Sequence, residues 1–364
     1  LGQSNREGKG MTSLGVGIIG AGQIAALHAA GYQADPRARI HAVCDLREPT
    51  AIDRALAWGA ERYYTDYRQL LADPGVDLVD IITPHHLHAP LALEALRAGK
   101  HVLVQRPLAL TVAEADRLMA EAQKNKLHLC VAEAGVFHPP LIDARGYLES
   151  GEIGEPVSVR IKVGIGAPEG GWSVRPESWL WRFDPQKCGG GPFLFDAIYG
   201  AFVSAFHLLG DVEMVQAWLG RTEIYPGYFV DAPATLMWRH RWRGCPGSLE
   251  LTYSPEMYIK SSHYPVDARV ELTGTKGILW LRTSPSNVTM SAPIQMYRDG
   301  RVFSFGEVAE GWEENFKAMI ANFLDVATGR KEPRFRPDTG REILRLTLAA
   351  RDSNRSERPQ KLTP

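Results

Sequence analysis

One short stretch constrains this chain more than any other: Gly17-Ile18-Ile19-Gly20-Ala21-Gly22-Gln23-Ile24-Ala25. An apolar run precedes it and an alanine-rich helical pattern follows. A G-x-G-x-x-A turn between a strand and a helix is the phosphate loop of a dinucleotide-binding βαβ unit. Gly20 permits the tight turn, and Gly22 lets the backbone approach a diphosphate because no Cβ intervenes. Ala25 keeps helix and strand close. The amides of Gln23 and Ile24 open the helix, whose positive end favours phosphate. Asp45 ends the next apolar run at 40–44. That is roughly the spacing expected of a carboxylate on the adenosine ribose hydroxyls. Arg47 could pair with a 2′-phosphate, which Asp45 would repel, so NAD is expected and NADP is the alternative. A glycine-rich turn that binds nothing is the plainer reading.

The first part alternates strand and helix patterns. Apolar runs at 14–19, 40–44, 78–82, 101–104 and 127–131 are separated by helical patterns at 24–33, 51–58, 87–98 and 112–124. Gly99 ends the third helix and Thr111 caps the fourth. This predicts an α/β Rossmann domain over 11–132, a parallel sheet with helices on both faces. Ligands of such sheets bind at the carboxyl ends of the strands, here Gly20–Gly22, Asp45, 83–88 and 105–107. After about 133 the pattern changes to a helix at 141–149, β-rich runs at 157–163, 234–241, 247–253, 268–273 and 277–281, and helices at 312–328 and 339–351. An α+β domain with a large, mostly antiparallel sheet is expected over 133–352. Residues 1–10 read as an upstream leader or extension, and 353–364 as a frayed tail.

Composition excludes several classes. The 364 residues carry a net charge of −1 with mixed signs, so no basic block suggests nucleic acid. No apolar run is long enough to span a membrane. Cys44, Cys130, Cys188 and Cys245 lack metal or disulfide spacing and read as reduced core residues of a cytoplasmic protein.

The chain resembles the Gfo/Idh/MocA oxidoreductases. The residues that carry the resemblance are the 17–25 loop, Thr83-Pro84 with His88, 98–102, Gln105-Arg106-Pro107-Leu108, Phe137-His138-Pro139, Gly189-Gly190-Gly191 with Asp196, and 272–277. The resemblance implies a two-domain enzyme that oxidises or reduces a hydroxyl or carbonyl on a sugar, cyclitol or related ring, with the nicotinamide at the domain junction. It implies a homo-oligomer, dimer or tetramer, joined through the exposed face of the second sheet. Thr83, Pro84, His88 and Gln105 are expected to line the cofactor. No metal is expected: His85, His86 and His88 have no carboxylate or cysteine nearby to complete a set.

Three departures stand out. The family reads Glu-Lys-Pro where this chain has Gln105-Arg106-Pro107. A guanidinium stays protonated and is a poor proton shuttle, yet it can stabilise an alkoxide or clamp an anion. The alternative is an arginine that anchors its loop. The family often follows the glycine triplet with an aspartate and, four residues on, a catalytic histidine; here Asp196 is followed by Gly200. Asp196 is left as base, orienter or cap; Tyr199 is expected to point away around an ideal helix, and proton transfer is expected to fall to Asp196, His138, Tyr199 or a water. Before His138, Gly135-Val136 replaces a polar pair, so His138 is either an acid/base or a turn residue. The segment 170–184, with Trp172, Arg175, Trp179, Trp181, Arg182 and Phe183, reads as a pocket wall or as ordinary packing. A redox-neutral lyase, dehydratase or glycosidase on this scaffold, and a non-catalytic dinucleotide-binding protein, are the competing functions.

Overall fold

A computed structural model describes residues 13–172, 178–284, 286–306 and 311–363. The extension at 1–10 and Arg175 therefore lie outside the described residues.

The first sheet is built from β1 (Leu14–Ile19), β2 (Ala38–Cys44), β3 (Arg62–Tyr64), β4 (Leu78–Ile81), β5 (His101–Gln105) and β6 (Leu129–Ala132). All are parallel, in the order β3-β2-β1-β4-β5-β6. Between them run α1 (Ala25–Gln33), α2 (Glu48–Trp58), α3 (Tyr67–Ala72), α4 (His88–Arg97) and α5 (Val112–Asn125). Alternation along the strands explains the two layers. Val16 and Ile18 share one core with α1, while Ile19, Val79 and Ile81 share the other with α4 and α5. The strand order reverses between β1 and β4, which opens a crevice at their carboxyl ends. Thr111 caps α5 with Glu114 in a reciprocal capping box.

The second part begins with α6 (Pro139–Glu149), β7 (Pro156–Glu169) and α7 (Pro185–Cys188). A wide π-helical turn at Leu194–Ile198 then runs into α8 (Tyr199–Leu209). There follow β8 (Val212–Leu219), the small hairpin β9 (Thr222–Tyr225) and β10 (Tyr228–Val230), then β11 (Ala234–His240), β12 (Pro246–Lys260), β13 (Val266–Gly274), β14 (Gly277–Arg282), β15 (Ile294–Arg298) and β16 (Arg301–Phe305). Last come α9 (Trp312–Ala327), α10 (Pro337–Ser356) and β17 (Gln360–Lys361). Nine strands form one sheet in the order β16-β15-β14-β13-β7-β12-β11-β8-β17, in which β7 and β12 pair in parallel and the rest are antiparallel.

Two expectations are corrected here. The end of the chain is not frayed: α10 runs to Ser356, and Gln360–Lys361 pair with β8 as the sheet's last edge. The late helix α9, expected with the second domain, packs on the first. Phe316, Met319, Ile320 and Phe323 join the core of α1 and β1. Gly31 of α1 has no room for a side chain, because Ile320 stands 2.6 Å from where a Cβ would be.

Candidate functional site

The phosphate loop has the geometry its sequence requires. Gly20 sits at φ +93°, and a Cβ there would lie 2.3 Å from the Ile82 carbonyl oxygen. Gly22 faces open space, with no atom within 4 Å of a built Cβ. No side chain caps the start of α1; the Ala26 and Leu27 N–H groups donate to the Gln23 and Ile24 carbonyls, which leaves the Gln23 and Ile24 amides at the turn for an anion. Gln23 and Ile24 are partly exposed there. Asp45 ties the loop to β2: Oδ2 accepts the Ala21 N–H at 3.1 Å and Oδ1 the Arg47 N–H at 3.0 Å. The Arg47 guanidinium lies 3.5 Å from the same carboxylate. Each carboxylate oxygen retains a second lone pair for ribose hydroxyls.

The loop after β4 differs from expectation. The Thr83 hydroxyl is buried without a hydrogen-bond partner among the described residues, and Pro84 leads into a 3-10 turn at His85–Leu87. Both ring nitrogens of His88 meet backbone carbonyls. The ring is fully buried, with Nδ1 2.7 Å from the Pro107 carbonyl and Nε2 2.8 Å from the Thr83 carbonyl. Burial pushes its pKa down, while those two carbonyls pull it up. His88 thus clamps the loops after β4 and β5 together. Gln105, at the end of β5, is held from beneath. Its Nε2 lies 3.2 Å from His28 Nε2, and His28 Nδ1 lies 2.8 Å from Asp80, which also accepts the Tyr32 hydroxyl at 2.9 Å. The Gln105 Oε1 accepts the Arg106 N–H at 2.8 Å.

Arg106 is the centre of a chain of alternating charges. Its Nη2 donates to Asp196 Oδ1 at 2.7 Å and its Nη1 to the Asp196 carbonyl at 3.0 Å. Arg182 Nη1 lies 3.2 Å from Asp196 Oδ2, and Glu133 Oε2 lies 3.6 Å from Arg106 Nε. Burial alone would raise the Asp196 pKa, but the guanidiniums of Arg182 and Arg106 outweigh it and hold the carboxyl down at about 2. Glu133 behaves oppositely: burial raises it, and Arg106 and the Gly135 N–H only partly compensate. Arg106 is pulled down by burial but raised on balance by Asp196 and Glu133, so it stays a cation.

The wide turn at 194–198 explains the position of Tyr199. Because it breaks ideal helical phasing, Tyr199 does not point away: its ring stands 5.8 Å from the Arg106 guanidinium, with its hydroxyl buried and without a hydrogen-bond partner among the described residues. Burial, then Glu133, pushes its pKa far up. The glycine triplet serves packing inside the protein. A Cβ at Gly191 would meet the Asp231 carboxylate at 2.5 Å, and that carboxylate accepts the N–H groups of Phe193 and Leu194 at 2.7 Å each. At Gly200 a built Cβ meets nothing within 4 Å.

His138 is buried at the junction with α9. Its Nε2 lies 3.0 Å from the Arg282 carbonyl and its Nδ1 3.3 Å from the Asn315 side chain, which joins α9 to the second domain. Of the aromatic segment, Trp181 packs edge-on to His85 at 4.6 Å, and Arg182 stacks on Trp181 at 4.6 Å and Trp179 at 5.5 Å. Trp172 packs instead with His263, Tyr264 and Trp312. Among the described residues no group of three His, Cys, Asp or Glu could hold a metal. Of the histidine triplet, His85 Nδ1 lies 2.9 Å from the Cys188 carbonyl and both His88 nitrogens face carbonyls, while His86 Nδ1 is buried without a hydrogen-bond partner among the described residues.

The sequence reading missed Glu133 and His85 as members of this site. Glu133 follows a fully buried strand whose last residue, Ala132, pairs with Gln105. An acidic residue at that sheet edge was the available signal.

Comparison with known proteins agrees with this fold. Residues 14–133 match the oxidoreductase family model with an NAD-binding Rossmann fold, and 141–280 match the GFO/IDH/MocA C-terminal domain. The chain is 25% identical over 350 residues to myo-inositol 2-dehydrogenase of Thermotoga maritima, covering 95% of this chain and 98% of that one. It is 33% identical over 217 residues to levoglucosan dehydrogenase of Pseudarthrobacter phenanthrenivorans, covering 57% and 54%. In fold it is similar to a levoglucosan dehydrogenase complex with NADH (TM-score 0.79, 24% identity, 97% of this chain and 100% of that one). An oxidoreductase domain protein from Kribbella flavida gives a TM-score of 0.81 at 25% identity, with 97% and 100% covered. With the phosphate loop, the six-strand order and the nine-stranded sheet all in place, the chain belongs to the Gfo/Idh/MocA family of NAD(P)-dependent oxidoreductases.

Proposed function

We propose that the chain interconverts a ring hydroxyl and carbonyl on a sugar-like or other cyclic polyol, with NAD as carrier and NADP as the alternative. The observation that carries this is the Arg106 guanidinium, fixed at the cofactor edge by Asp196 from the second domain. The residues present fit the dinucleotide, since Gly22 leaves open space above uncapped helix amides. Gly20, Gly22, Gln23 and Ile24 would hold the diphosphate, Asp45 and Arg47 the adenosine end, and Thr83, Pro84 and Gln105 the nicotinamide end. When bound, the dinucleotide supplies or accepts hydride.

The protein's own part is electrostatic. Arg106 would donate to the reacting oxygen and stabilise its developing negative charge. Asp196, ionised at any working pH, holds Arg106 in place and is a poor base because its pKa is far from neutrality. Trp179, Trp181 and Arg182 would wall the ring, and Tyr199 would back Arg106.

Assembly and location belong to the same proposal. Trp218 and Met237 are 53% and 52% exposed on neighbouring strands of the second sheet, which supports a homo-oligomer, dimer or tetramer, joined through that face. No described helix is long and apolar enough to cross a membrane. The four free, buried cysteines suit a cytoplasmic protein. The test is incubation with NAD+ and a panel of inositols and anhydrosugars. One NADH should form per ketone produced. Conversion with no change in NADH would favour the redox-neutral alternative.

A further inference from the structure

The site so far has a cation for the oxygen and no group suited to its proton. Arg106 is permanently charged. Asp196 is held strongly acidic. The Tyr199 hydroxyl is buried, and both ring nitrogens of His138 are engaged elsewhere. Position 200, where the family resemblance implies a histidine, is glycine.

One imidazole remains at the same cluster. His85 stands in the 3-10 turn at His85–Leu87, on the strand-end edge where the cofactor would lie. Three elements of the second domain close on it. The Cys188 carbonyl from α7 lies 2.9 Å from Nδ1. A carbonyl can only accept, so Nδ1 carries the hydrogen and Nε2 carries the lone pair. Trp181 packs edge-on at 4.6 Å and fixes the ring plane. Nε2 has no hydrogen bond among the described residues. The charged groups that act on the ring are His88 from its own loop, Arg182 beside Trp181, and Asp196 from the turn at 194–198. Burial, His88 and Arg182 favour the neutral ring, while the Cys188 carbonyl and Asp196 favour the protonated one. The ring is thus neutral before reaction and has a carboxylate near it once charged.

We infer that His85 Nε2 is the proton acceptor for the reacting hydroxyl, replacing the histidine that Gly200 lacks. This rests on the oxidoreductase reading. In the oxidation, the substrate O–H bond breaks and its proton joins the Nε2 lone pair. The adjacent C–H bond gives up a hydride to an oxidised nicotinamide dinucleotide, and the C=O bond forms. The imidazolium then loses its proton to solvent. In the reverse direction Nε2 first takes a proton from solvent, and the imidazolium then gives it to the alkoxide held by Arg106 and regains its lone pair.

The test uses the full-length protein with His85→Gln, His85→Ala and, as control, His86→Gln. NADH binding by tryptophan quenching and NAD+-dependent turnover of the polyol panel report on the oxidoreductase reading alone. For His85 itself, kcat of His85→Gln should fall by about 10²-fold or more with NADH affinity retained. The acid limb of the pH profile should vanish. Imidazole in solution should restore part of the His85→Ala rate, and His86→Gln should stay within about twofold. Independently of turnover, histidine ¹⁵N NMR of the protein alone should show a Nδ1–H tautomer that disappears in His85→Gln. An Nε2–H tautomer at His85, or a His85→Gln enzyme with an unchanged rate and pH profile, would overturn the inference. Either result could stand beside intact NADH binding, so the two readings fail separately.

Discussion

Arg106 and Asp196 meet across the domain junction through two hydrogen bonds, one to the carboxylate at 2.7 Å and one to the backbone carbonyl at 3.0 Å. The double contact fixes the guanidinium plane in a way that a single ion pair would not. Arg106→Met should therefore lower kcat by about 10²–10³-fold with little change in NADH affinity, as expected for loss of charge stabilisation at a developing oxyanion. Steady-state kinetics beside an NADH titration checks it. A variant of near wild-type rate would return Arg106 to a loop anchor.

Asp196 and Glu133 flank the same arginine and titrate in opposite senses. The folded Asp196 pKa, about 2, lies below the unfolded value near 4. Its stabilising contribution is present above that unfolded value and is lost as pH falls toward 2. The folded Glu133 pKa is raised, so the folded chain binds more protons there and stability falls as pH rises from about 4 through the folded value. Glu133→Gln should remove the second slope and leave the first; Asp196→Asn should do the reverse. Denaturant melts across pH distinguish them.

His88 bridges two carbonyls from inside the core. His88→Ala should cost about 2–3 kcal/mol, because a buried cavity and a carbonyl without its donor remain. NADH affinity should weaken as well, since the loops after β4 and β5 lose their tie. Chemical denaturation and fluorescence titration measure both effects. A fully stable variant would contradict the clamp.

Gly200 lies in the first turn of α8 with open space where a side chain would project. Gly200→Ala should raise stability by about 0.5–1 kcal/mol without altering NADH binding. A loss of stability would show that the space is needed.

Asp45 should decide between carriers. Asp45→Ala is expected to weaken NADH binding about tenfold, near 1.4 kcal/mol, and to narrow the preference over NADPH. Equal binding of both carriers by the unaltered chain would remove the carboxylate's assigned role.

The fold was legible because it rests on periodicity and turn chemistry. The buried runs of β1, β4 and β6, the Gly20 turn and the Thr111 cap each follow from local residues. β3 was not: its residues Arg62-Tyr63-Tyr64 form a short, partly exposed edge with no apolar alternation. The site was legible at Arg106 and Asp196, which sit at motif positions. His85, Glu133 and the placement of Tyr199 were not, for two physical reasons. The π-helical turn shifts the phase of α8, which no ideal wheel reveals. The direction of a histidine nitrogen depends on a carbonyl from α7, distant in sequence. The tie of Gln360–Lys361 to β8 was hidden likewise, because polar composition at a chain end does not disclose strand pairing.

The central claim is that a pyridine dinucleotide lies across the Gly20–Gly22 turn with its diphosphate on the amides that open α1. Isothermal titration of the purified protein with NADH tests it most directly. The account predicts saturable binding at one site per chain, or a dinucleotide already present and released on denaturation. No heat with NADH, NAD+, NADPH or NADP+, and no dinucleotide released, would contradict it.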